Sequence, residues 1–385
     1  MVNLLLYGTS FTKQPRIHVE GEGLAEASRS GVLRARVDDL VAGVRRPGSN
    51  DRLQMVQRLV RSQGIDPEAD GGAEKAGRFL LNRLLQVMRE RKPLEDRVAA
   101  TSAGARPDDP ASLLDRASAF RDRGLALDTG IVPDYTIEQT LRDLKTRGVL
   151  REGQVARVAV IGPGLDFIDK NEESAYDYYP EQTVQPFALY DSLVRLGLAK
   201  NGAVSLSILD ISSQVIEHVR HARERAAKHT GYVIQLPRDV SRPWPADLVA
   251  YWKTLGDQVG SAAAPIPPPA IFPGLETRAV RIRPEVVMAC EPVDLDIVVQ
   301  RLELPPAERF DLIVGTNIFV YYDAFEQALA LQNAGAMLKP GGLLLTNDRL
   351  PETARGSMRL AGVTVVPLEA PGISGRQPMG WYRKQ

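Results

Sequence analysis

Four short stretches of this 385-residue chain combine residue types that could do chemistry with positions at the ends of apolar runs. In Val158-Ala-Val-Ile-Gly-Pro-Gly-Leu-Asp166 the run ends in Gly162, Pro163 and Gly164, where the backbone can turn tightly and approach a ligand closely. Asp166 stands just beyond, able to accept hydrogen bonds from an ammonium group or to cap the loop. In Leu206-Ser-Ile-Leu-Asp210-Ile211 an acid ends the run, the place from which a carboxylate can accept both hydroxyls of a ribose. Asp294-Leu295 pairs an acid with an apolar side chain, and Asp239 in Leu236-Pro-Arg-Asp239 is its competitor. The fourth stretch, Gly315-Thr-Asn-Ile-Phe-Val-Tyr-Tyr-Asp323, offers Asn317 as donor and acceptor at once. Tyr321 and Tyr322 add ring faces for a cation or hydroxyls for a nucleophile.

These groups share a site only if the apolar runs lie side by side with their ends aligned. From Val155 onward, short apolar runs alternate with helical patterns, the signature of βαβ units and a parallel sheet. Strands are expected at Val158–Ile161, Val204–Leu209, Tyr232–Leu236, Leu312–Val314 and Leu343–Thr346. Val363–Leu368 and Met379–Arg383 are expected to close the sheet as an antiparallel pair. Helices are expected at Tyr135–Leu150, Pro186–Leu198 and Ser212–Thr230, the last with Ser212 as N-cap. Between Leu312–Val314 and Leu343–Thr346, an amphipathic helix carrying Phe325, Leu329, Ala336 and Met337 ends at Lys339-Pro-Gly-Gly342. The fold class is therefore α/β, a Rossmann-like doubly wound, seven-stranded, mostly parallel sheet with a terminal antiparallel strand. Residues 1–130 form a mainly helical N-terminal extension or lid, with helical periodicity at Asp51–Ser62, Glu74–Arg91 and Ala111–Arg123. Residues 131–385 form the main domain, with insertions at about 165–184 and 237–279. The first insertion carries Tyr176, Tyr178 and Tyr179 among acids, either a wall over the site or a solvated surface loop. The second carries a helix over Ala246–Val259 and the proline run Pro265–Pro269. Its Trp244, Tyr251 and Trp252 are candidates for a second wall.

The glycine loop, the acid after the second strand and the segment Phe310–Asp348 together resemble class I S-adenosylmethionine-dependent methyltransferases over about residues 155–385. The resemblance implies S-adenosyl-L-methionine as cofactor, with methyl transfer from its sulfonium to a nucleophilic acceptor. It places Gly162, Pro163, Gly164, Asp166, Asp210, Ile211, Asp294, Leu295 and Asn317 around the cofactor, and Tyr321, Tyr322 and Tyr178 at the reacting centre. Asp166 stands where that family's third glycine usually does. A non-catalytic protein that binds the cofactor, and a nicotinamide-dependent oxidoreductase sharing the strand–glycine–acid logic, are the alternatives.

Composition narrows the partners. Lys+Arg and Asp+Glu balance at 48 each, which supplies no field for nucleic acid or an anionic membrane. Apolar residues make up 44% and charged residues 25%, as in ordinary globular proteins, and no apolar run approaches the ~20 residues of a membrane span. Leu4–Tyr7 lacks the basic lead-in and length of a signal segment, so the expected compartment is the cytoplasm. A small-molecule acceptor is expected, with homo-oligomerisation through the N-terminal helices possible. The single cysteine, Cys290, excludes an intrachain disulfide and a multi-cysteine zinc site. His218 and His221 lie beside the buried stripe of their helix and read as a solvated face, so no metal is expected.

Overall fold

Along the central strands of this protein, alternate apolar residues face opposite sides, and both sides are covered. The structure, a computed structural model, describes residues 2–7, 11–15, 17, 23–48, 50–86, 131–165, 182–240, 243–267, 274–353, 356–370 and 373–385. The described residues fall into two compact units, one up to residue 86 and one from residue 131 onward, save Ala324–Glu326.

The first unit contains α1 (Val2–Tyr7), α2 (Gly23–Arg29), α3 (Val32–Arg45), α4 (Asp51–Ser62) and α5 (72–86). Leu5, Leu40, Val44, Val56 and Leu80 pack at its centre. Asn50 caps α4, its Oδ1 accepting from the Leu53 N–H at 3.1 Å. Arg36 is fully buried, yet its guanidinium donates to the carbonyls of Leu5, Gln14 and Pro15 at 2.5, 2.9 and 3.0 Å. A buried cation is tolerable only with such partners. The helical pattern at Asp51–Ser62 is α4, and that at Glu74–Arg91 is seen in α5 as far as residue 86. The expected helix over Ala111–Arg123 lies outside the described residues.

The second unit opens with α6 (Ile131–Thr146) and continues through β1 (Arg157–Ile161), α7 (Gln185–Arg195), β2 (Ser205–Asp210) and α8 (Ser213–Ala227). Then follow β3 (Tyr232–Asp239), α9 (Ala246–Thr254), β4 (Gly260–Ala263), β5 (Leu275–Ile282), α10 (Pro284–Met288) and β6 (Cys290–Asp294). The chain ends with β7 (Phe310–Val314), α11 (Ala324–Met337), β8 (Leu338–Thr346), β9 (Met358–Ala370) and β10 (Ile373–Lys384). Seven strands form the main sheet in the order β6-β2-β1-β7-β8-β10-β9. The first five are parallel, and β10 runs antiparallel to both β8 and β9. Val158 and Val160 of β1, Leu312 and Val314 of β7, and Leu343 and Leu345 of β8 join one apolar layer with α6, α7, α8 and α9. Their neighbours Ala159, Ile161, Ile313 and Leu344 face the other layer, with Ala330, Leu331, Ala334 and Met337 of α11. A period of two on a sheet covered on both faces produces this division.

The sequence signal at Tyr232–Leu236 is a strand, but β3 pairs antiparallel with β5 in a separate sheet of order β3-β5-β4. The third strand of the main parallel set is instead β6, an edge strand containing Pro292, where a missing N–H is tolerated. Lys339-Pro-Gly-Gly342 follows the last residue of α11 and already lies within β8. Phe310 and Leu312 pair with Leu338 and Leu343, so the extra residues of β8 bulge, helped by Gly341 at φ +78°. Beside this bulge, Asp311 joins three strands at their amino-terminal ends. Its Oδ2 accepts from the N–H groups of Ala156 and Arg157 at 2.9 Å each, and its Oδ1 accepts from Lys339 Nζ at 2.6 Å. Asp311→Ala should therefore destabilise this unit by about 2–3 kcal/mol, read as a lower urea midpoint at unchanged slope. Stability within 0.5 kcal/mol of wild type would contradict the stitching role.

Candidate functional site

Two of the parallel strands stop at residues that cannot be replaced without moving a neighbour. After β1, the Gly162 N–H donates to Leu209 O at 2.8 Å and its φ is +61°. A Cβ there would stand 2.7 Å from Ile318 Cδ1, so the glycine loop and the tip of β7 touch over a missing side chain. Pro163 is buried, and Gly164 also has positive φ, +67°. After β7, a Cβ on Gly315 would lie 2.8 Å from the Phe319 ring. The carboxyl ends of β1 and β7 thus touch, on the edge of the sheet where ligands usually bind in open α/β folds.

On the next strand outward, Asp210 ends β2, nearly buried, with its Oδ1 accepting from the Ser212 N–H at 2.8 Å. Ser212 precedes α8 as expected, but its hydroxyl makes no capping bond. Ile211 is 45% exposed, an uncommon position for a large apolar side chain beside a buried acid. Asp210 is in register with Asp294 at the end of β6, and the Leu295 N–H donates to Asp210 O at 3.0 Å. Asp294 is exposed, whereas Leu295 is buried. Asp239 ends β3 on the small sheet, opposite Leu275. The two competing acids therefore belong to different sheets, and Asp294 shares its sheet with Asp210.

The β7 tip is held by a pair that sequence reading missed. Asn317 adopts φ +56°, a left-handed conformation that asparagine tolerates better than most residues. Its N–H donates to Asn347 Oδ1 at 2.9 Å, and Asn347 Nδ2 donates back to Asn317 Oδ1 at 2.6 Å. Asn347 follows β8 directly, so the reciprocal amides tie together the ends of two adjacent strands. The carbonyl side of Asn317 is thus already engaged within the protein. Thr316 accepts at its Oγ1 from Gln185 Nε2 at 2.8 Å. Asp134 of α6 lies beside Gln185; burial pushes its carboxyl up to about 7, opposed by a hydrogen bond from the Gln185 side chain. Asp134, Gln185, Thr316 and Asn347 are scattered singly along the chain, and no local pattern announces them.

The tyrosines divide. Tyr321 is 47% exposed at the end of a short 3₁₀ turn, Phe319–Tyr321, whereas Tyr322 is half-buried and packs against the apolar layer of α11. Gln327 Nε2 fixes the turn by donating to the carbonyls of Phe319 and Tyr322 at 2.9 and 3.1 Å. Asp166, Tyr176, Tyr178 and Tyr179 lie outside the described residues. Tyr251 and Trp252, expected in a second wall, are buried in the core instead. The Tyr251 ring meets Tyr135 at 5.6 Å, and Trp252 Nε1 donates to Leu236 O at 3.1 Å. The Arg238 guanidinium stands 5.6 Å from the Trp244 ring and 5.7 Å from that of Trp252. These aromatics anchor the inserted segment, because an apolar stripe on α9 has the first layer to bury against. His218 is half-buried rather than solvated, its Nε2 hydrogen-bonded to the Tyr232 hydroxyl at 2.8 Å; His221 is exposed. Burial pushes the Cys290 thiol up to about 12, with Arg223 opposing, which leaves it unreactive. Among the described residues no helix is long and apolar enough to cross a membrane.

No protein-family model matches this sequence, and a search of curated proteins finds no match. Among solved structures, the chain is similar to the glycopeptide N-methyltransferase MtfA complexed with S-adenosyl-L-methionine. That match has 14% identity, a TM-score of 0.26 and coverage of 63% of this chain and 65% of that one. It is similar also to magnesium protoporphyrin IX methyltransferase (ChlM) from Synechocystis, with S-adenosyl-L-methionine bound (9% identity, 66% and 79% of the chains, TM-score 0.29). A third is a TehB-like methyltransferase from Corynebacterium glutamicum (12% identity, 66% and 97%, TM-score 0.27). The chain spans just under two thirds of the length of MtfA. The strand order is that of a Rossmann-like sheet: five parallel strands, with antiparallel β10 between β8 and β9.

Proposed function

We propose that this protein is an S-adenosylmethionine-dependent methyltransferase whose acceptor is a small molecule. The observation that carries the reading is the alignment of Gly162, Asp210 and Asp294 at the carboxyl ends of three adjacent strands, with the β7 tip pressed against Gly162. The residues fit the cofactor. Gly162, Pro163 and Gly164 give backbone access to its methionine part, with Asp166 as the partner of the ammonium. The Asp210 carboxylate suits the ribose hydroxyls, and exposed Ile211 and Asp294, the latter with Leu295 buried beside it, would meet the adenine. When bound, the cofactor supplies an activated methyl group on sulfur. That methyl would pass to the acceptor's lone pair as its bond to sulfur breaks, the sulfur leaving as a neutral thioether. The protein then has to align acceptor and methyl and exclude water. Asn317 sets the height of the β7 tip, and Tyr321, Tyr322 and, from the sequence alone, Tyr178 are assigned to the acceptor side. Tyr321 is the most available of the described tyrosines to take part in removing a proton from an oxygen or nitrogen acceptor.

A dinucleotide-binding reading shares Asp210 but not the inserted antiparallel β10, since dinucleotide sheets run parallel in the order 3-2-1-4-5-6. A protein that binds the cofactor without transferring the methyl group shares every feature of the cofactor side, and turnover separates it. Balanced charge and the tyrosines support the small-molecule acceptor.

Asp210→Ala should weaken S-adenosylhomocysteine binding by more than about tenfold in calorimetry, the loss of at least one charge-assisted hydrogen bond. Unchanged affinity would remove Asp210 from the site. Gly162→Val, which places a branched side chain where Ile318 stands, should abolish binding while the unfolding midpoint of the first unit is preserved; retained affinity would contradict the cradle. With a radiolabelled methyl donor, label should pass to a cell-extract fraction below 3 kDa. Labelling confined to protein or RNA would refute the small-molecule acceptor, and none in any fraction would favour the non-catalytic alternative.

A further inference from the structure

Asp134 is a buried acid with no role in the site as derived above. It lies in the first turn of α6, 5% exposed, and among the described residues its Oδ1 has no hydrogen-bond partner. The charged groups around it are committed elsewhere. On its own helix, Glu138 accepts from Ser192 Oγ at 2.9 Å and from Arg142 Nη2 at 3.1 Å. On α7, Asp191 and Arg195 pair with each other, and Asp191 also accepts from the Gln258 N–H at 2.7 Å. On α9, the Tyr251 hydroxyl is raised far above its ordinary range by burial and then by the Asp134, Glu138 and Asp191 charges. Asp247, also on α9, acts on Tyr135 rather than on Asp134. What Asp134 does meet is Gln185, the first residue of α7, whose amide nitrogen donates to Thr316 at the β7 tip. Gln185 and Thr316 are themselves buried and bond to each other directly at 2.8 Å.

An ionised carboxylate can only accept hydrogen bonds, whereas a neutral one must also donate. With Asp134 ionised, the two hydrogens of the Gln185 amide serve the carboxylate and Thr316 Oγ1, and the threonine keeps its own proton to donate. With Asp134 neutral, its proton is best taken by Gln185 Oε1. The amide then turns over, and Thr316 changes from acceptor to donor along the chain.

We propose that Asp134, Gln185 and Thr316 form a proton-sensitive positioning chain that sets the polarity of the β7 tip, with cationic cofactor favouring ionised Asp134. This rests on the reading of that edge of the sheet as an S-adenosylmethionine site. Positive charge brought to the β7 tip, which Thr316 and Gln185 connect to Asp134, lowers the proton affinity of that acid, so binding releases its proton to solvent. The affinity gained this way is present above the pH at which free Asp134 titrates, near 7, and is lost as pH falls through that value.

Calorimetry with S-adenosylmethionine between pH 6 and 8, in two buffers of different ionisation enthalpy, tests this. Wild type should bind roughly tenfold more tightly at pH 8 than at pH 6, with proton release, and S-adenosylhomocysteine should show a smaller slope. Asp134→Asn should flatten the difference and Thr316→Val should reduce it, whereas Thr316→Ser should retain it. An Asp134→Asn slope equal to that of wild type would overturn the proposal. Urea unfolding of the same proteins judges the chain even if no cofactor binds at any pH, an outcome that would sink the methyltransferase reading separately. A folded-state acid titrating near 7 against about 4 unfolded makes wild type lose stability relative to Asp134→Asn as pH rises from 4 to 7, with no change above. Gln185→Leu, which removes the donor, should move the end of that decline to higher pH. Parallel profiles for wild type and Asp134→Asn, or an unmoved break in Gln185→Leu, would overturn the chain.

Discussion

The candidate site depends on one close approach, that of the glycine loop after β1 to Ile318 beyond β7. With no side chain at Gly162, the two strand ends come into contact and the loop can take positive φ. The parallel register does the rest. Once β1 is fixed against β2 and β7, Asp210 is carried to the same edge as Gly162, and β6 brings Asp294 alongside. The reciprocal amides of Asn317 and Asn347 then lock β7 to β8 at that edge. None of these contacts is a large energy taken singly. Their effect comes from acting on strands whose apolar faces already leave one arrangement open.

Much of this was legible in the chain because buried parallel strands advertise themselves. β1, β2, β7 and β8 are short apolar runs, and the residues just past them were the natural place to look for polar ligands' partners. β6 was harder to see, since an edge strand with Glu291 and Pro292 buries little and carries little pattern. Tyr232–Leu236 read correctly as a strand, but its sheet depended on β5, far downstream, and hydrophobic pattern does not name a partner. The tertiary hydrogen bonds of Gln185 and Asn347 were invisible for a related reason: each is an ordinary residue made significant by a partner distant in sequence.

The inserted segment also changes character once its packing is known. Its tryptophans and Tyr251 looked like ligand-facing aromatics, yet Tyr251 and Trp252 join the first apolar layer, and Arg195 donates to Thr254 O at 2.8 Å to hold the end of α9. Buried Asp134 and Glu138 of α6 and Asp191 of α7, with Arg195, form one polar seam through that layer.

The Asp311–Lys339 stitch lies at the opposite end of β7 from the tip, although both belong to the single stretch from Phe310 to Asp348. That separates two kinds of inheritance within a few dozen residues. A descendant that kept Asp311 and the Lys339–Gly342 bulge but put a side chain at Gly162 would retain the sheet while parting β1 from the β7 tip. Resemblance confined to the lower end of these strands is therefore a record of ancestry, and only the upper end reports on chemistry.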